Sequence, residues 1–206
     1  MTKTNMKKIS IFGLGYVGTV SAACLAKDGH RVVGVDPNST KVDLINAGNS
    51  PIIEQDIGEL VASGVGGRLM SAVTDAAVAV AETDISLICV GTPSQRNGSL
   101  DLAYVASVCR EIGEEIRKKK DRHIVILRST TLPGTMRETV IPTLEAASGL
   151  EAGDDFGVCN NPEFLREGTA VFDYYNPPKI VIGELQNGDG DVLADLYRVI
   201  EAPMVR

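Results

Sequence analysis

Ile9-Ser10-Ile11-Phe12-Gly13-Leu14-Gly15-Tyr16-Val17-Gly18 is a short apolar run that gives way to a G-x-G-x-x-G. Residues 16–27 are then an Ala-rich helical pattern closed by Gly29, and a second β-branched run over 31–35 ends on Asp36, eighteen residues after Gly18. A lone G-x-G-x-x-G is a weak signal; one that follows a strand, opens a helix and precedes a strand-end acid is a dinucleotide fingerprint. Each glycine has a physical task there. Gly13 permits the tight turn, Gly15 lets backbone approach a pyrophosphate, and Gly18 lets helix and sheet pack closely. The helix start offers unpaired N–H groups and partial positive charge to phosphate. Asp36 can accept hydrogen bonds from an adenosine ribose and would repel a 2′-phosphate, which favours NAD over NADP.

The same alternation continues outward. Strands are expected over 85–90, 124–127, 156–159 and 179–182, and helices over 39–47, 54–62, 75–81, 102–119, 135–147 and 192–200. Asn38 or Ser39 caps the first of these helices and Thr74 the third; Pro142 should kink the helix over 135–147. Exposed loops are expected over 149–155 and 186–191. Strands alternating with helices predict an α/β, Rossmann-type doubly wound fold, with a mostly parallel sheet and helices on both faces. Residues 1–206 read as one such domain, with 1–7 as a loose leader.

Composition narrows the function classes. Hydrophobic residues are 44% of the 206, enough for a sizeable core, and the formal net charge is -7. That charge argues against nucleic acid or an anionic membrane as partner. The one basic run, Arg117-Lys118-Lys119-Lys120, closes a helical pattern where positive charge complements the helix dipole. No apolar stretch is long enough for a membrane span, and the amino terminus lacks a signal-peptide core. Cys24, Cys89, Cys109 and Cys159 form no CxxC pair, and His30 and His123 are isolated, so no metal site is expected. Free thiols in this pattern predict a reducing, cytoplasmic setting.

Three later segments can carry chemistry. Gly91-Thr92-Pro93 and Ser129-Thr130 each follow a strand, where open α/β sheets bind ligands. Their hydroxyls either face the nicotinamide half of a cofactor or serve as ordinary turn chemistry; spacing alone leaves both open. Asn160 to Glu167 places Glu163 and Glu167 four apart, on one face if the segment is helical. Such a pair can do acid–base work, but behind Pro162 a solvated first helical turn is the better reading from composition. All four cysteines read as core thiols rather than nucleophiles.

Taken together, Ile11 to Gly18, Val35-Asp36, Cys89-Val90-Gly91-Thr92-Pro93-Ser94, Arg128-Ser129-Thr130 and Asn161-Pro162-Glu163-Phe164-Leu165-Arg166-Glu167 resemble the UDP-glucose/GDP-mannose 6-dehydrogenase family. The resemblance runs from about Lys8 to the end. Asp43-Leu44-Ile45-Asn46, Ser50-Pro51-Ile52-Ile53-Glu54 and Asn97-Gly98-Ser99-Leu100-Asp101-Leu102 look more like the GDP-mannose branch. The resemblance implies NAD-dependent oxidation of a sugar C6 hydroxyl to a carboxylate, through a cysteine thioester, with GDP-mannose the favoured substrate and an exopolysaccharide such as alginate the implied use. By motif, Gly13, Gly15, Tyr16, Val17 and Gly18 would hold the pyrophosphate, and Asp36 and Lys41 the adenosine side. Thr92 and Thr130 would contact the cofactor near the reacting centre. Phe164 and Leu165 would offer backbone groups to substrate, and Glu167 would bind the sugar end or act with a water as base.

The family's Gly-rich cysteine loop has no match in this sequence, so the expectation is a cofactor domain, inactive alone. It would act as a homo-oligomer or beside a carboxy-terminal half. The alternatives are a UDP-glucose 6-dehydrogenase domain and a non-catalytic NAD-binding or interaction module.

Overall fold

A computed structural model describes residues 6–96 and 98–206. Most of the expected leader and Asn97 of the branch-like segment lie outside them. Seven strands form one sheet in the order β3-β2-β1-β4-β5-β6-β8. These are β1 Lys8–Phe12, β2 Arg31–Val35, β3 Met70–Val73, β4 Ile85–Ile88, β5 Ile124–Leu127, β6 Gly157–Asn160 and β8 Gly183–Glu184. Every pairing is parallel except that of β6 with β8. Strand order reverses direction between β1 and β4, which opens a crevice at their carboxyl ends.

Side chains alternate across the strands and feed two cores. Ile9 and Ile11 of β1 with Ile85 and Leu87 of β4 pack under α1 (Tyr16–Lys27), α2 (Ser39–Asn46) and α3 (Ile57–Gly66). Phe12, Ile88, Val125 and Leu127 face α4 (Ala76–Glu82), α5 (Ala103–Ile116) and α6 (Ile141–Ser148) on the other side. α7 (Ala170–Tyr175) and α8 (Asp191–Leu196) join the first layer. The doubly wound, mostly parallel architecture expected from the sequence is therefore the one observed.

Local departures have local causes. β3 was not anticipated: Met70-Ser71-Ala72-Val73 is a four-residue edge strand with small, mixed side chains and little periodic signal. α7 was likewise unread. The apolar run near 180 is not one strand: β7 (Ile180–Val181) pairs with β9 (Met204–Val205), and the chain then crosses to β8 in the main sheet. The first residues expected in α3 are loop instead, and the helix begins after Asp56, which sits at φ 63. Asp75, not Thr74, caps α4, its carboxylate accepting from the Ala77 amide at 2.8 Å. Pro142 sits in the first turn of α6, directly after a π-helical turn over Met136–Val140. Proline lacks the N–H that would continue the ladder, and the wide turn takes up the mismatch.

Candidate functional site

The cleft is built from the carboxyl ends of β1, β2, β4 and β5. At its centre the 13–15 turn is held by main chain: the Gly13 amide donates to Val35 O at 2.8 Å, and the Cys89 amide to Phe12 O at 2.8 Å. Gly13 has φ +93, where a side chain is strained, and a Cβ on Gly18 would lie 1.8 Å from the Gly13 carbonyl. A Cβ on Gly15 would meet nothing within 4 Å, so the turn faces open space. Gly15 precedes α1 as its cap residue and offers no side-chain cap, leaving the first amides of the helix for a partner outside it.

Asp36 is buried at the end of β2 and is more than a ligand candidate. Its Oδ2 accepts from the Leu14 amide at 2.8 Å and pairs with Lys41 Nζ at 3.0 Å; Oδ1 accepts from the Asn38 amide at 3.0 Å. One carboxylate thus ties the glycine turn to the α2 cap. Thr92 and Thr130 come together across β4 and β5, the Thr92 hydroxyl donating to Thr130 O at 2.7 Å. Ser129 is buried and donates to Val90 O at 2.6 Å, which makes it scaffold rather than a group facing the cleft.

Residues 161–167 are irregular, so Glu163 and Glu167 do not share a helical face. Tertiary contacts override the helical tendency. Asn161 is buried; its Oδ1 accepts from Arg128 Nη1 at 2.7 Å and Tyr197 Oη at 2.6 Å, and its Nδ2 donates to Val181 O at 2.8 Å. Arg128, also buried, reaches Ser21 of α1 through Nε at 3.1 Å and Tyr197 through Nη1 at 3.0 Å. Glu163 turns back to accept from the Leu165 amide at 2.5 Å. Arg166 forks onto Asp173 of α7 at 2.7 and 3.0 Å, and this pairing holds the Asp173 carboxyl down at about 2. Phe164 and Glu167 are exposed and Leu165 is half-buried.

Tyr16 links the two parts of the cleft. Its hydroxyl donates to Glu54, accepts from the Gly168 amide at 3.0 Å and lies 3.3 Å from Arg166 O. Desolvation, with help from Glu54, pushes the phenol up to about 12. Burial would raise the Glu54 carboxyl, but hydrogen bonds from Tyr16 and Gly168 outweigh it and bring the group below its ordinary range. Sequence reasoning did not single out Glu54, Asn161 or Tyr197 as side chains that tie these segments together; only the presence of Glu54 and Asn161 inside quoted motifs hinted at them. Burial pushes all four cysteine thiols up to about 12, which suits core residues and not nucleophiles. Among the described residues no helix is long and apolar enough to cross a membrane.

A glycine turn at the switch point of a 3-2-1-4-5-6 sheet, an uncapped helix start above it and an acid at the end of β2 define a dinucleotide-binding domain. The profile described as the UDP-glucose/GDP-mannose dehydrogenase family, NAD binding domain, matches residues 7–201, and this chain belongs to that family. GDP-mannose 6-dehydrogenase of Pseudomonas aeruginosa is 56% identical over 97% of this chain, which covers 46% of that protein. UDP-glucose 6-dehydrogenase AglM of Haloferax volcanii is 41% identical over 96% of the chain, covering 45% of its own length. Among solved structures, a ternary complex of the Pseudomonas aeruginosa GDP-mannose dehydrogenase superposes with a TM-score of 0.95, covering 97% of this chain and 46% of that one. The chain therefore spans a little under half the length of the curated relatives it matches, and its cofactor is NAD.

Proposed function

We propose that this chain is the cofactor-binding part of a nucleotide-sugar 6-dehydrogenase that oxidises the C6 hydroxyl of GDP-mannose towards GDP-mannuronate. The observation that carries the choice of sugar is the identity gradient: 56% to the GDP-mannose 6-dehydrogenase against 41% to the UDP-glucose 6-dehydrogenase, over nearly the same residues.

The cleft fits a dinucleotide, because the turn at Gly15 is open above and the helix start below it is uncapped. NAD, when bound, supplies the hydride acceptor. In this reading the amides of Tyr16 and Val17 meet the pyrophosphate, with Gly13, Gly15 and Gly18 allowing its approach. Asp36 and Lys41 take the adenosine ribose, and the fixed charge of Asp36 disfavours a 2′-phosphate. Thr92 and Thr130, already joined, line the nicotinamide end. Phe164 and Leu165 present backbone groups to the sugar nucleotide, and Glu167 binds its sugar end or orients a water as base. A thioester stage needs an accessible thiolate, and none of this chain's cysteines is assigned to it, since all four are buried.

NADH absorbance at saturating NAD, with GDP-mannose and with UDP-glucose, tests the reading. Flat traces with both sugars, beside saturable NAD binding, are expected of this chain alone. NADH formed with UDP-glucose and not with GDP-mannose would overturn the assignment of the sugar.

A further inference from the structure

The loop before α3 has no part in the cofactor contacts above, yet Glu54 within it is tied at both oxygens. Oε1 accepts from the Gln55 amide at 3.1 Å; Oε2 accepts from the Tyr16 hydroxyl and from the Gly168 amide at 2.8 Å. The peptide units on either side of Glu167 converge on the same phenol: the Arg166 carbonyl lies 3.3 Å from Tyr16 Oη, and the Gly168 amide donates to it at 3.0 Å. Tyr16 is also the first residue of α1, at the mouth of the glycine turn. Gly168 has φ +89, so the turn is of a kind that a glycine holds without strain. The far side of the turn is anchored separately, by Arg166 and Thr169 on Asp173.

We propose that Glu54 is a positioning residue for Glu167: through Tyr16 and Gly168 it fastens the turn over residues 166–168 to the start of α1, and so links dinucleotide occupancy to the order of that turn. This rests on the reading of the glycine turn as the NAD site. Glu54 need not touch cofactor or substrate. Its carboxylate supplies two acceptors' worth of directionality at one oxygen, and Tyr16 transmits any shift at the helix start to both peptides that flank Glu167. A ligand bound at that helix start and the closed turn then stabilise one another, as linkage requires.

Amide exchange followed by NMR on this chain, with and without NAD, tests the proposal in wild type, Glu54→Ala and Glu54→Gln. In wild type, NAD shifts the Gly13 to Gly18 amides and slows exchange at Gly168. Glu54→Ala should speed exchange at Gly168 by about tenfold, the scale of one or two lost hydrogen bonds, with the amides of β1 and β4 unchanged. It should also abolish the response of Gly168 to NAD. Glu54→Gln keeps an oxygen acceptor and should restore most of both effects. Unchanged exchange at Gly168 in Glu54→Ala would overturn the proposal, as would an NAD response there that survives the substitution. Shifts at Gly13 to Gly18 with no response at Gly168 in wild type would sink the linkage alone. No shift at Gly13 to Gly18 would sink the NAD reading and the linkage with it.

Discussion

The glycine turn at residues 13–18 and the segment at 161–168 meet through Tyr16 but are held by different means. The first is a main-chain construction: backbone amides reach Val35 and, through Asp36, the head of α2, and helix packs on turn with no room for a Cβ at Gly18. The second has little main-chain pairing of its own and is pinned through side chains, by Arg128, Tyr197, Tyr16 and Glu54 from elsewhere and by its own Arg166 on Asp173. A main-chain turn is stiff and intolerant of added atoms. A side-chain-pinned segment can be loosened one tie at a time.

The largest effect should come from breaking the first region. Gly18→Ala places a methyl against the Gly13 carbonyl at a separation no real contact allows, so turn and helix must part. A destabilisation of about 3 kcal/mol, the upper end of overpacking, is expected by urea denaturation, together with loss of NAD binding by titration. Breaking the second region should cost less and leave the first intact. Asn161→Ala leaves the Arg128 guanidinium and the Tyr197 hydroxyl without their shared acceptor, both in the interior. About 2 kcal/mol is expected from stranding such groups, with NAD still bound; equal losses of stability and of NAD affinity would erase the distinction between the regions.

The smallest effect sharpens the comparison. The Arg166 side chain is 74% exposed while that of Asp173 is 6% exposed. Arg166→Gln should leave stability little changed, because solvent screens the exposed partner. The readout is the Asp173 carboxyl, held at about 2 against an ordinary 3.8 mainly by the hydrogen bonds from Arg166. A depressed carboxyl contributes stability that is present above pH 3.8 and fades as pH falls towards 2. Carboxyl titration by NMR should find Asp173 back near its ordinary value in the variant; no change would mean that Thr169 and the Arg166 amide hold it alone.

The same contrast explains what was legible in the sequence. Gly13, Gly15, Gly18 and Asp36 act through local geometry, and local geometry repeats in spacing, so the turn, α1 and β2 could be read with their bounds. The cap of α2 was legible to within one residue for the same reason: of Asn38 and Ser39 it is Asn38, its side chain accepting from the Thr40 amide two residues on. Asn161 to Glu167 was not legible as an irregular segment, since partners 33 and 36 residues away in sequence decide it. β3 and α7 escaped because their residues are few and their burial comes from neighbours. Thr92 and Thr130 were read as following two strands, but only the folded chain brings the Thr92 hydroxyl onto Thr130.

Parallel titration of this chain with NAD and NADP, followed calorimetrically, tests the central claim most directly: that a main-chain turn closed by Asp36 forms an NAD site. Saturable binding of NAD is predicted, with NADP weaker by about tenfold or more, because a 2′-phosphate would meet a carboxylate already fixed by three hydrogen bonds. Equal affinity for the two, or tighter binding of NADP, would contradict it.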